Sequence, residues 1–263
     1  MAIASSSLFV LWIDCTYFLR YCPSVGSNQS YGVPSRTRNN QVYYVYWCSV
    51  FFRDSHQSLT PLKRVHLRME PLHRNVILGS QSPRRRELMA GLDIPFSCIT
   101  IDADESYPAG LQAGDIPIYI SRAKARAYVS ELGDNDLLIT SDTIVWLDGE
   151  MLGKPQNEVE AKQMLARLSG HTHEVYTAVC FADRSGELET FVDCTHVTFR
   201  DLTEAEIDYY LSHYRPLDKA GAYGVQEWIG YVGVTRMEGS YFNVMGFPIC
   251  RVYETLCKYI SFA

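Results

Sequence analysis

An α/β domain is the fold class that the sequence predicts, and three observations carry it. Val76-Ile77-Leu78 is an apolar run that stops abruptly at Gly79, as a buried parallel strand does where it meets a loop. Ser82-Pro83 then reads as a helix start, because serine caps well and proline is tolerated at the first helical position. From there to Ile260, strand-like and helix-like segments follow one another with clear turn and capping signals between them.

The helix that opens at Pro83 breaks the usual rule of its first turn. Arg84, Arg85 and Arg86 stand where Asp or Glu would complement the helix dipole. Cations there make sense around a bound anion, held by free backbone N–H groups, the hydroxyls of Ser80 and Ser82, and guanidinium forks. Leu88, Met89 and Leu92 set the apolar face, so helix phase puts Arg85 over that face, Arg84 beside it and Arg86 toward solvent. A basic helix end without a ligand is the competing reading.

Bulk composition narrows the function classes. A chain of 263 residues with 47% hydrophobic content can build one large domain or two small ones. A formal net charge of −6 argues against a nucleic-acid coat and turns the local arginines toward a small anionic ligand. Eight cysteines without CxxC or Cys/His metal spacing read as reduced thiols of a cytoplasmic protein, not as a zinc site or disulfide framework. No membrane span is expected, since the apolar run Leu8-Phe9-Val10-Leu11-Trp12-Ile13 is broken by Asp14. It lacks the basic flank and clear cleavage site of a signal segment.

Residues 1–68 differ in kind from the rest. They are rich in Ser, Tyr, Arg and Asn, hold Cys15, Cys22 and Cys48, and keep no sustained period of 2 or 3.6. The expected organisation is a poorly ordered extension over residues 1–68, from a start assigned too far upstream, and a functional domain over residues 69–263. A short domain or targeting arm is the alternative.

Within the domain the elements follow in order. Gly91 ends the first helix, and Phe96 to Ile101 reads as a strand with the acidic cluster Asp102-Ala103-Asp104-Glu105 at its carboxyl end. Ligands and metals gather at that edge of open α/β sheets. The next helix carries an apolar stripe of Ile116, Ile120, Ala123 and Ala127, and Lys124 emerges beside it. Leu137 to Leu147 is a strand in which apolar residues flank Ser141-Asp142-Thr143 on both sides, and Asp148-Gly149 supplies a hairpin turn. A carboxylate inside such a run loses hydration unless a cation, a metal or several donors meet it, which makes Asp142 a site candidate.

Lys154 follows in a Gly-Lys-Pro loop, and Asn157 with Glu160 forms an Asn-led capping box for a helix stopping at Ser169-Gly170. A strand from His173 to Phe181 and another from Leu188 to Phe199 flank the turn Asp183-Arg184-Ser185-Gly186. Thr203 and Glu206 cap the next helix, and the lone His173 and His196 read as structural. Small residues in Asp218 to Gln226 permit close backbone approach to a ligand, with Lys219 and Gln226 as polar ends. Ile249, Val252, Leu256 and Ile260 share one face of a final helix.

Eight motifs in unbroken order between Asn75 and Cys257 resemble the Maf family of nucleoside triphosphate pyrophosphatases. They are Ser80-x-Ser82-Pro83-Arg84-Arg85, Glu105, Lys124-Ala125, Ser141-Asp142-Thr143, Gly153-Lys154-Pro155, Leu168-Ser169-Gly170-x-x-His173-x-Val175-Tyr176-Thr177, Asp218 to Gly224, and Gly239-Ser240-Tyr241-x-Asn243-Val244. The resemblance implies an elongated mixed sheet with helices on both faces and a cleft between two lobes, related to the inosine triphosphate pyrophosphatases. It implies cleavage of a nucleoside triphosphate to the monophosphate and pyrophosphate, removing non-standard or excess nucleotides. Gln226 and the Gly239 loop are similar to the dTTP/UTP branch, not the 7-methyl-GTP branch. In that branch Asp142 matches the proton acceptor, while Arg84, Thr143 and Gln226 match positions tied to substrate choice. Ala178, where Thr-Gly-Val would be usual, and Glu227-Trp228, where a glycine is common, depart from the pattern near the base pocket.

For this chemistry Ser80, Ser82, Arg84, Arg85, Lys124, Lys154 and Lys219 are the expected phosphate-binding residues. Asp142 is expected either to deprotonate the attacking water or to share a divalent Mg²⁺ or Mn²⁺ with Glu105, and the sequence leaves both roles open. The expected partner is a nucleoside triphosphate, with neither nucleic acid nor membrane, and a homodimer is one assembly open to the chain. Rival readings are a nucleotide-binding regulator of cell division without turnover, and a pyrophosphatase for another, modified nucleotide. Pure binding needs only cations and backbone donors, so Asp142 and Glu105 count against the regulator. A chain lacking residues 1–68 is expected to fold and keep its activity; an insoluble or inactive truncation beside a working full chain would move the boundary.

Overall fold

The computed structural model describes residues 74–260 together with two short strands, β1 (Ser35–Arg36) and β2 (Val42–Tyr43). The chain falls into two units, residues 1–64 and residues 65–263. In the first, β1 and β2 pair antiparallel, with Ser35 opposite Tyr43. The rest of the extension expected over residues 1–68 lies outside the described residues.

The second unit is built on a seven-stranded mixed sheet. β3 (Asn75–Gly79) lies between β4 (Phe96–Ile99) and β5 (Asp136–Leu147) and is parallel to both. Parallel neighbours need crossover helices. α1 (Pro83–Ala90) connects β3 to β4, and α2 (Asp115–Tyr128) connects β4 to β5. β6 (Glu150–Leu152) folds back on the end of β5 after the Asp148-Gly149 turn. β7 (Thr172–Asp183), β8 (Gly186–Phe199) and β9 (Val234–Glu238) then add antiparallel neighbours out to the far edge.

Apolar patterning puts helices on both faces. Met89 of α1 and the buried side of α7 (Ile249–Leu256) pack with Leu78, Ile139 and Phe181 on one face. Ala125 of α2 packs with Ile77, Leu138 and Cys180 on the other. A separate core near the far end of β5 gathers α3 (Glu158–Leu168) and α4 (Glu204–Tyr214) around Leu165, Phe199, Tyr210 and Tyr223. Burying one such Leu or Phe side chain contributes about 1.5–3 kcal/mol. β5 runs through both cores, so one strand positions everything between them.

Three local expectations change. In α2 the buried residues are Ile116, Pro117, Ile120, Ser121 and Ala125, while Ala127 faces solvent. On that buried side Thr140 Oγ1 donates to the Ser121 carbonyl at 2.7 Å, and the small Ser121 and Ala125 lie against the sheet. In α3 the Asn157 side chain accepts from Glu160 N as expected, but Glu160 Oε2 takes its bond from Gln156 N at 2.7 Å and not from the cap residue. β4 stops at Ile99, two residues short of the apolar run. The Thr203–Glu206 capping box of α4 is complete on both arms.

His173 sits in the far core. Its ring stacks on Phe199 and its Nε2 lies 2.7 Å from the Tyr223 hydroxyl, while Nδ1 finds no hydrogen-bond partner among the described residues. Burial pushes its pKa down from 6.5 to about 3. The unfolded chain therefore takes up a proton near pH 6.5, which the folded chain resists until about pH 3. The stability that neutral His173 contributes is full above pH 6.5 and drains as pH falls through that window. A single group of this kind gives a slope of up to about 1.4 kcal/mol per pH unit. Urea unfolding midpoints measured between pH 4.5 and 6.5 are expected to fall with pH in the wild type and to fall less steeply in His173→Gln; equal slopes would remove His173 as the cause.

Candidate active site

A cleft of about 750 Å³ opens where β3 and β4 end, and all eleven expected site residues line it. Ser80 and Ser82 come from the loop after β3, Arg84 and Arg85 from α1, and Glu105 from the segment after β4. Lys124 comes from α2, Asp142 and Thr143 from β5, and Lys154 from the loop after β6. Lys219 and Gln226 lie in the segment between α4 and α5 (Trp228–Gly233). Arg86 is exposed and lies outside the cleft lining, as its helix phase implies.

Strand register explains why Asp142 faces this space. The parallel pairing of β3 with β5 ends at Gly79 opposite Thr140, and β6 joins β5 only from Val145. Between those points one edge of β5 lacks a strand neighbour among the described residues, and its backbone is open to side chains from elsewhere.

Arg85 fills that edge. Its Nη1 donates to the Ser141 carbonyl at 2.8 Å, its Nη2 to Thr143 Oγ1 at 2.9 Å and its Nε to the Gly246 carbonyl at 2.8 Å. Burial lowers its pKa from the ordinary arginine value, against the pull of Asp142. Thr143 Oγ1 also lies 3.0 Å from Thr177 Oγ1, whose hydroxyl donates to the Asn243 carbonyl at 2.9 Å. Asn243 is the anchor of the Gly239 loop, since its Nδ2 donates to Val175 O and Thr195 Oγ1, both at 2.9 Å. Gly246 has a φ of 100°, and a Cβ there would stand 3.2 Å from Thr143 Oγ1. A side chain would press on the same network.

Lys124 bridges two carboxylates. Its Nζ lies 2.8 Å from Asp142 Oδ1 and 2.8 Å from Glu105 Oε1. The Lys124 and Asp142 side chains are each 13% exposed, so their contact is largely screened from water, while Glu105 is 53% exposed at the rim. Burial opposes ionisation of Glu105, but the Lys124 hydrogen bond and the charges of Lys124, Lys154 and Arg85 hold its pKa below the usual value. Of the acidic cluster after β4, Asp102 joins Glu105 in the cleft lining, and Asp104 turns away to bond Ser106.

The third side of the cleft is a second lysine between carboxylates. Lys219 is buried, with Nζ 2.7 Å from Asp218 Oδ1 and 3.1 Å from Glu227 Oε1. Tyr210 donates its hydroxyl proton to Glu227 Oε2 and accepts from Gly224 N at 3.0 Å. Gly221, φ 66°, lets the segment press against β5, where a Cβ would meet Val145 at 3.0 Å. Gln226 is held between these anchors. Asp218 Oδ2 also accepts from Arg84 Nη1 at 3.4 Å, which links this segment to α1. Tyr210 and Gly246 are not expected at the site from the sequence, and Glu227 enters there only as a departure from the family pattern beside Gln226. Tyr210 reads as helix core, and only the neighbourhood of Gln226 hints at Glu227.

The family model described as Maf-like protein matches residues 75–259. A dTTP/UTP pyrophosphatase of Phocaeicola vulgatus is 52% identical over 184 residues, 70% of this chain and 95% of that protein. A dTTP/UTP pyrophosphatase of Porphyromonas gingivalis is 53% identical over 184 residues, 69% of this chain and 92% of that protein. Among solved structures, a HAM1 protein from Coxiella burnetii aligns over 70% of this chain and 99% of its own, at 13% identity and a TM-score of 0.40.

The contacts separate a cation that holds the cleft together from one that only faces it. Arg85→Ala removes three donated bonds and leaves the Ser141 carbonyl without its side-chain donor, and a buried polar group left unpaired costs about 1–3 kcal/mol. Lys154 is exposed, so Lys154→Ala is expected to stay within about 0.5 kcal/mol of the wild type. Thermal and urea unfolding of the two variants check this, and equal stability would mean that Arg85 is not the clamp.

Proposed function

We propose, from the premise that the chain belongs to the Maf-like protein family, that it hydrolyses nucleoside triphosphates to the monophosphate and pyrophosphate, with dTTP and UTP preferred. The convergence of Asp142, two rim cations and a Gln226 segment on one cleft is the observation that carries this reading. Its relatives named dTTP/UTP pyrophosphatase support the choice of nucleotide.

In this reading the triphosphate lies across the mouth of the cleft. Ser80, Ser82, Arg84 and Lys154, with Lys219 deeper, meet the phosphate oxygens, and Lys124 and Arg85 add positive potential behind them. Asp142, held through Oδ1 by Lys124, orients a water toward the α-phosphorus and takes its proton as the bond to phosphorus forms. The bond from the α-phosphorus to its bridging oxygen breaks, and pyrophosphate leaves with that oxygen. Arg84, Thr143 and Gln226 choose the substrate, Gln226 by pairing its amide with the O4 acceptor and N3–H donor of uracil or thymine.

A divalent cation suits the same place. Glu105 and Asp142 already converge on one ammonium at 2.8 Å each, and an all-oxygen donor set is what Mg²⁺ or Mn²⁺ accepts together with phosphates. Glu105 and Asp142 would hold it, and when bound it would neutralise phosphate charge and acidify a coordinated water.

Pyrophosphate release, measured with each common nucleotide, tests the reading. Wild-type protein is expected to favour UTP and dTTP, to act weakly on cytidine nucleotides and to leave ATP and GTP nearly untouched. Asp142→Asn should lose about 10²–10⁴-fold in rate while still binding nucleotide. Gln226→Ala should lower kcat/KM for UTP by about 1–3 kcal/mol and shift it less for other nucleotides. Near-normal kcat in Asp142→Asn would sink the base assignment, and a wild-type preference for 7-methyl-GTP would overturn the substrate assignment.

A further inference from the structure

Away from the cleft, the β7–β8 hairpin presents a second cluster of ligating side chains. Antiparallel register sets Glu174 opposite His196 and Tyr176 opposite Cys194, so these four residues share one face of the sheet. A Glu174 carboxylate oxygen, the Cys194 Sγ and a His196 ring nitrogen all lie within 4.8 Å of one another. Glu174 Oε1 is 3.2 Å from His196 Nε2, and the Tyr176 hydroxyl donates to Glu174 Oε2 at 3.0 Å, which orients the carboxylate from its other side. Glu238 of β9 stands opposite His196 on the same face. None of these residues lines the cleft.

We infer that Glu174, Cys194 and His196 bind a zinc-class divalent cation at a site separate from the candidate active site. Thiolate, imidazole and carboxylate are the three donor types that Zn²⁺ takes, and three protein ligands leave a fourth tetrahedral position for water or Glu238. Mg²⁺ and Mn²⁺ prefer oxygen donors, so this site and the Glu105–Asp142 pair select different ions. On binding, the Cys194 thiol releases its proton to solvent and its sulfur takes the cation, while His196 binds as neutral imidazole. Burial raises the Cys194 thiol pKa, so the cation has to displace that proton. Neither cysteine spacing nor Cys/His spacing in the sequence announces this site, because cross-strand pairing supplies the third ligand from a different strand. Bound there, the ion would brace β7 against β8.

Full-length protein stripped of metal, then titrated with Zn²⁺ against a chromophoric chelator and with Co²⁺ in a second series, provides the test. The expected result is Zn²⁺ uptake and a thiolate-to-cobalt charge-transfer band in the wild type, both retained in Glu105→Gln with Asp142→Asn. Cys194→Ala should lose the band. His196→Ala should weaken Zn²⁺ binding by more than the about 10–100-fold that loss of an outer-shell partner costs. Both side chains are exposed, so metal-free melting of the variants is expected to match the wild type. Other exposed cysteines, Cys98, Cys250 and Cys257, serve as internal controls. A band and an affinity unchanged by Cys194→Ala and His196→Ala, or no Zn²⁺ uptake by the wild type, would overturn the site.

Discussion

The guanidinium of Arg85 is bonded at once to the open edge of β5, to the Thr143 hydroxyl and to the Gly246 carbonyl. Two of these partners lie on β5 and the third on the turn near Gly246, while the guanidinium itself comes from α1. A rigid planar fork with donors in fixed directions suits such a junction better than a flexible ammonium would. The interaction is expensive to set up, because a cation is taken largely out of water, and the depressed pKa of Arg85 records that cost. Once formed, it ties α1, β5 and the turn after α6 (Tyr241–Val244) together. The floor of the cleft, including the position of Asp142, depends on that junction.

Charge in the cleft follows one repeated device: a lysine between two carboxylates. Lys124 spans Glu105 and Asp142, and Lys219 spans Asp218 and Glu227. A buried ammonium is tolerated only when it is paired and hydrogen-bonded. The two triads differ in how their carboxylates are held. Around Lys124, Asp142 is shielded while Glu105 is exposed at the rim. Around Lys219, Glu227 is tied down by Tyr210. Arg84, whose contact with Asp218 is long at 3.4 Å, and the exposed Lys154 are the cations freest to meet a ligand.

The mixed sheet explains why such a site can exist on β5. Along one edge β5 pairs parallel with β3 up to Thr140 and antiparallel with β6 from Val145, while its other edge pairs antiparallel with β7 from Leu138 to Trp146. The change of partner leaves a short stretch with one edge unpaired, and Ser141 to Thr143 lies there. The same hairpin geometry that extends the sheet also lines up Glu174, Cys194 and His196 on one face, so a local rule of register serves two unrelated clusters.

Local chemistry in the sequence is enough to locate β3, the Ser82-Pro83 helix start, the Asp148-Gly149 turn and the Thr203–Glu206 cap, because each depends on residues within one turn or one hairpin. It is also enough to single out an ionisable Asp142 in an apolar strand, since the cost of burying a charge shows in the pattern alone. The helix phase of α1 likewise separates Arg85 from Arg86 without any knowledge of the fold. Partners distant in sequence are not legible: Gly246 for Arg85, Tyr210 for Glu227, and Glu174 for His196. The buried face of α2 likewise departs from its apolar stripe, and its contact with Thr140 lies on another element. Periodicity and capping are properties of neighbours along the chain, whereas a hydrogen bond between remote residues depends on how the strands are ordered in the sheet, and that ordering exists only once the chain has folded.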